Sequence, residues 1–134
     1  MDLTPTLSKW RVAGASVRGS SHIRNNKPNQ DFLDYCPRAD DGYPYIAVLS
    51  DGHGSAKSFR SDIGSKSAVT ITMNLLKNLI SDELSQNIAE IERRVINELI
   101  PQVVRQWNED VIQNLNRFPV TQEELIALKE MRVS

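Results

Sequence analysis

The first half of the chain sets apolar residues singly among polar ones, and the second half repeats them at helical spacing. Trp10, Val12, Ala15 and Val17 give an interrupted alternation that predicts a strand, with Gly14 as a bulge or point of close approach. Residues 31–36 set Phe32, Leu33 and Tyr35 among polar neighbours and predict a second strand, with Cys36 a half-buried thiol at its end. Residues 37–42 are dense in turn formers, Asp41-Gly42 among them. Residues 43–50 then predict a third, more buried strand, so that the second and third form a hairpin.

Beyond residue 60 the period changes. Ile63, Ala68, Ile71, Leu75, Leu76 and Leu79 share one face of a helix that Ser61 and Asp62 are placed to cap. A second stripe runs through Ile88, Ile91, Val95, Leu99, Val103, Trp107, Val111 and Leu115 and reads as core packing, Trp107 included, as does Trp10. Pro101 interrupts it: with no N–H to give the carbonyl of Asn97, it predicts a kink or a break. Thr121-Gln122-Glu123-Glu124 is a capping box opening a short helix with Leu125 and Leu128 inside. Strands first and helices later predict an α+β arrangement, with helices on one face of an antiparallel sheet.

Composition narrows function mainly by exclusion. The 134 residues suit one domain, with 40% hydrophobic and 25% charged residues and a net charge of −1. That balance supplies no bulk pull toward nucleic acid or an anionic membrane, so the expected partners include neither. A single cysteine rules out an internal disulfide and a cysteine-based zinc set. No signal peptide or membrane-length apolar run is present, and a cytoplasmic protein is expected.

Chemistry concentrates where the third strand ends, in Leu49-Ser50-Asp51-Gly52-His53-Gly54-Ser55. Asp51 offers the hard anionic oxygen that Mg²⁺ or Mn²⁺ prefers, and Gly52 lets its backbone carbonyl approach an ion with no Cβ in the way. His53 is a proton shuttle near neutral pH. Asp-Gly alone is a common turn dipeptide; directly after a hydrophobic strand and followed by His-Gly it is far less ordinary. A second polar segment, residues 19–31, holds His22, Arg24 and Lys27 before Gln30 and Asp31, and combines cations suited to a phosphate with a carboxylate at its end.

Gln30-Asp31 opening a strand, a hairpin, Asp51-Gly52-His53-Gly54 and two long helices together resemble the N-terminal half of the PPM-type, phosphatase 2C-like metal-dependent Ser/Thr phosphatases, in wording closest to a bacterial branch. The resemblance runs from about Trp10 to Leu115 and implies the N-terminal half of an α-β-β-α sandwich, so that residues 1–134 form a single partial domain. It implies hydrolysis of phosphoserine and phosphothreonine esters in proteins with two Mn²⁺ or Mg²⁺ ions. Asp51 and the Gly52 carbonyl would then be metal ligands, His53 a general acid and Asp31 a holder of metal-bound water. Arg24, or else His22, would meet the substrate phosphate. Gln30 departs from the more usual Glu.

The family's further metal aspartates are expected from C-terminal strands. After His53 this chain offers only Asp62, Asp82 and Asp110, all in helical or helix-start surroundings. The isolated chain is therefore expected to bind the ions weakly and turn over little, and to associate with itself or with a missing C-terminal half through an uncovered sheet face. The alternative is a regulatory or binding module that keeps the fold without the chemistry.

Overall fold

The computed structural model describes residues 11–37, 45–55, 58–81 and 87–129. In chain order these contain α1 (Ser20–Arg24), β1 (Phe32–Cys36), β2 (Ile46–Ser50), α2 (Ser61–Ser81), α3 (Ile88–Arg94), α4 (Ile100–Arg117) and α5 (Gln122–Lys129). β1 and β2 pair antiparallel, from Phe32 opposite Ser50 to Cys36 opposite Ile46. The α+β order and the hairpin expected from the sequence are therefore present; Trp10 and the turn residues 38–42 lie outside the described residues.

One face of the two-stranded sheet lies on α2. Ile46 is buried and Val48 half-buried there, and the Lys66 ammonium stands 5.9 Å from the centre of the Phe32 ring. Strand periodicity of two sends Ala47 and Leu49 to the other face, where Leu49 is 78% exposed. The strand expected over residues 43–50 is thus present at Ile46–Ser50, with one face buried and the other exposed. Val69 and Met73, four residues apart on α2, are its most deeply buried side chains; Ile63, expected on the core face, is exposed instead.

The predicted first strand is absent. Residues 11–19 take no regular structure, and the segment instead passes so close to the sheet that a Cβ on Gly14 would lie 3.2 Å from the Leu33 side chain. Interrupted alternation was satisfied by packing one glycine against the outer sheet face, without adding a strand to its edge. The polar loop of residues 19–31 contains a helical turn, α1, that the sequence pattern did not indicate.

At Pro101 the helix neither stops nor breaks. Residues Val95–Leu99 widen into a π-turn that joins α3 to α4, with the Ile100 N–H bonded to the Val95 carbonyl. The missing proline donor is absorbed by this wider turn one residue upstream. α4 is fastened to α2 by the Trp107 indole N–H on the Gly64 carbonyl (2.9 Å) and the Ser67 hydroxyl on Asp110 (2.6 Å). Asp110 thus serves helix packing, and Asp62 lies in the first turn of α2.

The capping box forms as predicted. The Thr121 N–H reaches the Glu124 carboxylate at 2.8 Å, and the Glu124 N–H reaches the Thr121 hydroxyl at 3.2 Å. Arg60, just before α2, joins this end to the rest. Its guanidinium donates to both Glu124 oxygens (3.0 and 2.9 Å), to Asn114 Oδ1 (3.0 Å) and to the Phe118 and Pro119 carbonyls (2.7 and 3.3 Å). That Arg60 fork holds the Glu124 carboxyl below the ordinary carboxylate range, with the Thr121 N–H assisting.

Candidate functional site

The site is built where β1 begins and β2 ends. The register sets Phe32 opposite Ser50, so Asp31 and Asp51 extend from neighbouring strand ends at one lip of the sheet. The Gly52 N–H donates to Asp31 Oδ1 at 3.0 Å, which fixes one carboxylate oxygen against the loop after β2. Asp31 is braced from behind as well: the Ser16 hydroxyl donates to its carbonyl at 3.1 Å, and Asn29 donates to Ser16 at 2.6 Å. The side chains of Asp51 and His53 are exposed and make no hydrogen bond among the described residues.

Gln30 is the buried hub of this corner, 5% exposed. Its carbonyl accepts the Ser65 hydroxyl from α2, and its side-chain oxygen lies 3.0 Å from His22 Nε2. Gly52 packs directly against it: a Cβ at Gly52 would collide with the Gln30 carbonyl and lie 3.0 Å from Gln30 Cβ. Glycine is thus required at position 52 by close backbone approach. A Cβ at Gly54 would lie 3.5 Å from both the Gln30 amide oxygen and His22 Nε2, so His22, Gln30 and the glycine loop form one packed unit.

Two further contacts hold the loop. The Ser61 hydroxyl, in the first turn of α2, donates to the His53 carbonyl at 2.8 Å, and Lys27 Nζ donates to the Gly54 carbonyl at 2.8 Å. The loop is therefore pinned by its backbone while its acidic and imidazole side chains stay open to solvent. The structure adds Lys27, Ser61 and Ser65 as residues that hold the loop and its Gln30 support. Lys27 stands in the polar segment before Asp31, whereas nothing in helical periodicity distinguishes the two serines.

Of the residues expected to act, the structure brings together His22, Asp31, Asp51, Gly52 and His53. Arg24 is exposed on α1, two positions from His22 and so roughly 200° around the helix from it. The two were alternatives for one phosphate contact; His22 is the one seated against the loop. Gln30, where the family pattern has Glu, is occupied with His22 and the loop.

The donor set decides how far a divalent ion fits. Asp31, Asp51 and the Gly52 carbonyl are at most three oxygen donors, whereas Mg²⁺ asks for six in octahedral array. Among the described residues no group of three or more His, Cys, Asp or Glu side chains converges on one point. The described residues do not by themselves enclose an ion. No described helix is long and apolar enough to cross a membrane.

No curated protein and no solved structure matches the chain. The family model for protein phosphatase 2C matches residues 18–130, an interval that takes in His22, Arg24, Asp31 and the Asp51-Gly52-His53-Gly54 loop. With most of its length inside that match and the motif residues assembled at one strand-end lip, the chain belongs to the protein phosphatase 2C family.

Proposed function

We propose that this corner serves hydrolysis of phosphoserine and phosphothreonine esters in proteins, and that the residues of this chain supply part of the site. The observation that carries the reading is the bond from Gly52 N–H to Asp31, which sets two carboxylates and a histidine side by side at an open lip within a phosphatase-family match. His53 is placed to donate a proton to the leaving alkoxide, a role worth roughly 10²–10⁴-fold where it operates. His22, or else Arg24, would meet the phosphate; Asp51 and the Gly52 carbonyl would hold Mn²⁺ or Mg²⁺ from one edge, with Asp31 beside them to hold a bound water. Cytoplasmic residence and the bacterial branch are part of the same proposal.

Phosphate release from a phosphothreonine peptide with Mn²⁺ tests this directly. The expected result is slow release that His53→Gln lowers further. Robust turnover by the chain would overturn the partial-site claim, and slow release indifferent to His53 would overturn its assignment. The outward sheet face carries the exposed Leu49, and we assign self-association to it; a clean monomer in size-exclusion chromatography would count against that.

A second reading, a binding module that keeps the fold without turnover, is favoured by one observation. Gln30 is neutral, buried and engaged with His22, where the family pattern has a carboxylate. Calorimetric titration with Mn²⁺ separates the two readings, because a pure binding module shows no divalent-ion heat.

A further inference from the structure

At the helical end of the molecule several arginines are paired with carboxylates. Arg60 is paired with Glu124, Arg93 with Glu90 and Glu98, and Arg94 with Glu98. The segment that carries the candidate site does the opposite. No Asp or Glu occurs between Asp2 and Asp31, while Arg18, Arg24 and Lys27 fall in that interval. Among the described residues none of these three pairs with a carboxylate.

Two of them are tied to one place, and the third lies on the helical turn beside it. Lys27 donates to the Gly54 carbonyl at 2.8 Å, and Arg18 Nη1 donates to the Lys27 carbonyl at 3.3 Å. Arg24 belongs to α1, whose His22 ring reaches Gln30 against Gly54. A carbonyl partner satisfies a donor without cancelling its charge, so the positive charge persists beside the glycine loop. Clustered unpaired cations repel one another, and that repulsion is relieved when an anion binds.

One phosphate ester engages one arginine fork or an imidazole. Three cations besides His22 exceed that need, and their spread along residues 18–27 suits anions on both sides of a phosphorylated residue. The carboxylates of Asp31 and Asp51 in their midst oppose a continuous polyphosphate track, which argues against nucleic acid.

We propose that Arg18, Arg24 and Lys27 form a basic collar that selects phosphopeptides whose phosphorylated residue is flanked by acidic side chains. The inference rests on the phosphatase-type reading of the corner and adds its substrate preference. The collar acts at the rim of the site, on encounter and orientation, so its effect fades with ionic strength.

Fluorescence anisotropy with the full chain and labelled peptides tests it. Three peptides share one core: phosphothreonine with alanine flanks, phosphothreonine with glutamate flanks, and unphosphorylated threonine with glutamate flanks. At low salt the acidic phosphopeptide is expected to bind about tenfold tighter than either of the others, with the gap closing toward 0.5 M salt, where the Debye length falls to about 4 Å. Arg24→Glu and Arg18→Glu, both at exposed positions, are expected to erase the preference without changing the circular dichroism spectrum. Lys77→Glu, an equal change of net charge on exposed α2 surface, is expected to leave it intact.

Equal binding of the two phosphopeptides, or no binding of any peptide, overturns the collar; the first of these leaves the phosphatase reading standing. Equal binding of the two acidic peptides overturns both the collar and the phosphate-directed corner. A single-stranded oligonucleotide that binds as tightly, with the same dependence on Arg24, overturns the choice of a peptide.

Discussion

At the helical end, one guanidinium meets both oxygens of Glu124, the Asn114 amide and two main-chain carbonyls, and Thr121 and Glu124 cap each other. At the strand-end lip, buried hydrogen bonds run through the Gln30 carbonyl and amide, while Asp51 and His53 face solvent without a partner among the described residues. Polar side chains in the first region are committed to joining α2, α4 and α5. In the second, main-chain groups, serine hydroxyls and a neutral amide do most of the joining, and the Asp51 and His53 side chains are left uncommitted. A carboxylate already paired in the fold would have to break that pairing to meet an ion or a phosphate; an uncommitted one need not. The difference marks which end is scaffold and which end is available for chemistry.

Three substitutions sharpen that contrast. The largest effect is expected on the scaffold side: Met73→Ala, at a side chain 2% exposed, should lower stability by about 2–5 kcal/mol in urea unfolding while leaving the preference for acidic flanks unchanged. If that preference vanished in a chain still folded by circular dichroism, the two regions would not be separable. Gly52→Ala comes next. Its new Cβ meets the Gln30 carbonyl, so the loop must shift, at about 1–3 kcal/mol, and the His22 ring resonances should move in NMR spectra. An unshifted His22 would show that Gln30 does not couple the loop to the imidazole.

The smallest effect is a pH dependence at the helical end. The Arg60 fork lowers the folded-state pKa of Glu124, so this contact stabilises the protein above the ordinary glutamate range and is lost as pH falls through the lowered folded value. The melting temperature of Glu124→Gln should therefore lie below that of the parent at neutral pH and converge with it as the solution becomes more acidic than that folded value. A gap that stayed constant through the acid range would mean that the Arg60–Glu124 contact contributes nothing through charge.

Much of the scaffold was legible in the residues themselves, because its signals are local. The capping box at residues 121–124 is a matter of spacing along a few positions, and both of its bonds are present. The alternation in residues 31–36 and the apolar run at 46–49 likewise announced the hairpin. Pro101 announced a disturbance, but whether it became a kink, a break or a π-turn depended on keeping Val95 to Val111 against α2 on both sides of it. The reading failed where local pattern was weak. The alternation around Gly14 implied a strand, yet the segment found its packing against Leu33 and Tyr35 without pairing with an edge.

The site divides along the same line. Sequence by itself determined the chemical inventory: an Asp-Gly-His-Gly loop after a strand, a carboxylate at the head of the preceding strand and a basic segment before it. Those are residue types in order, and order survives without coordinates. Tertiary structure alone decided their relations. It placed Asp31 on the Gly52 amide, seated His22 rather than Arg24 against the loop, and made Gln30 a buried brace held by Ser65. Each of these contacts joins residues 8 to 35 positions apart in the chain, brought together by strand pairing and by the docking of α2 on the sheet. No periodicity in a single segment encodes such a meeting, because it depends on where a second segment comes to rest.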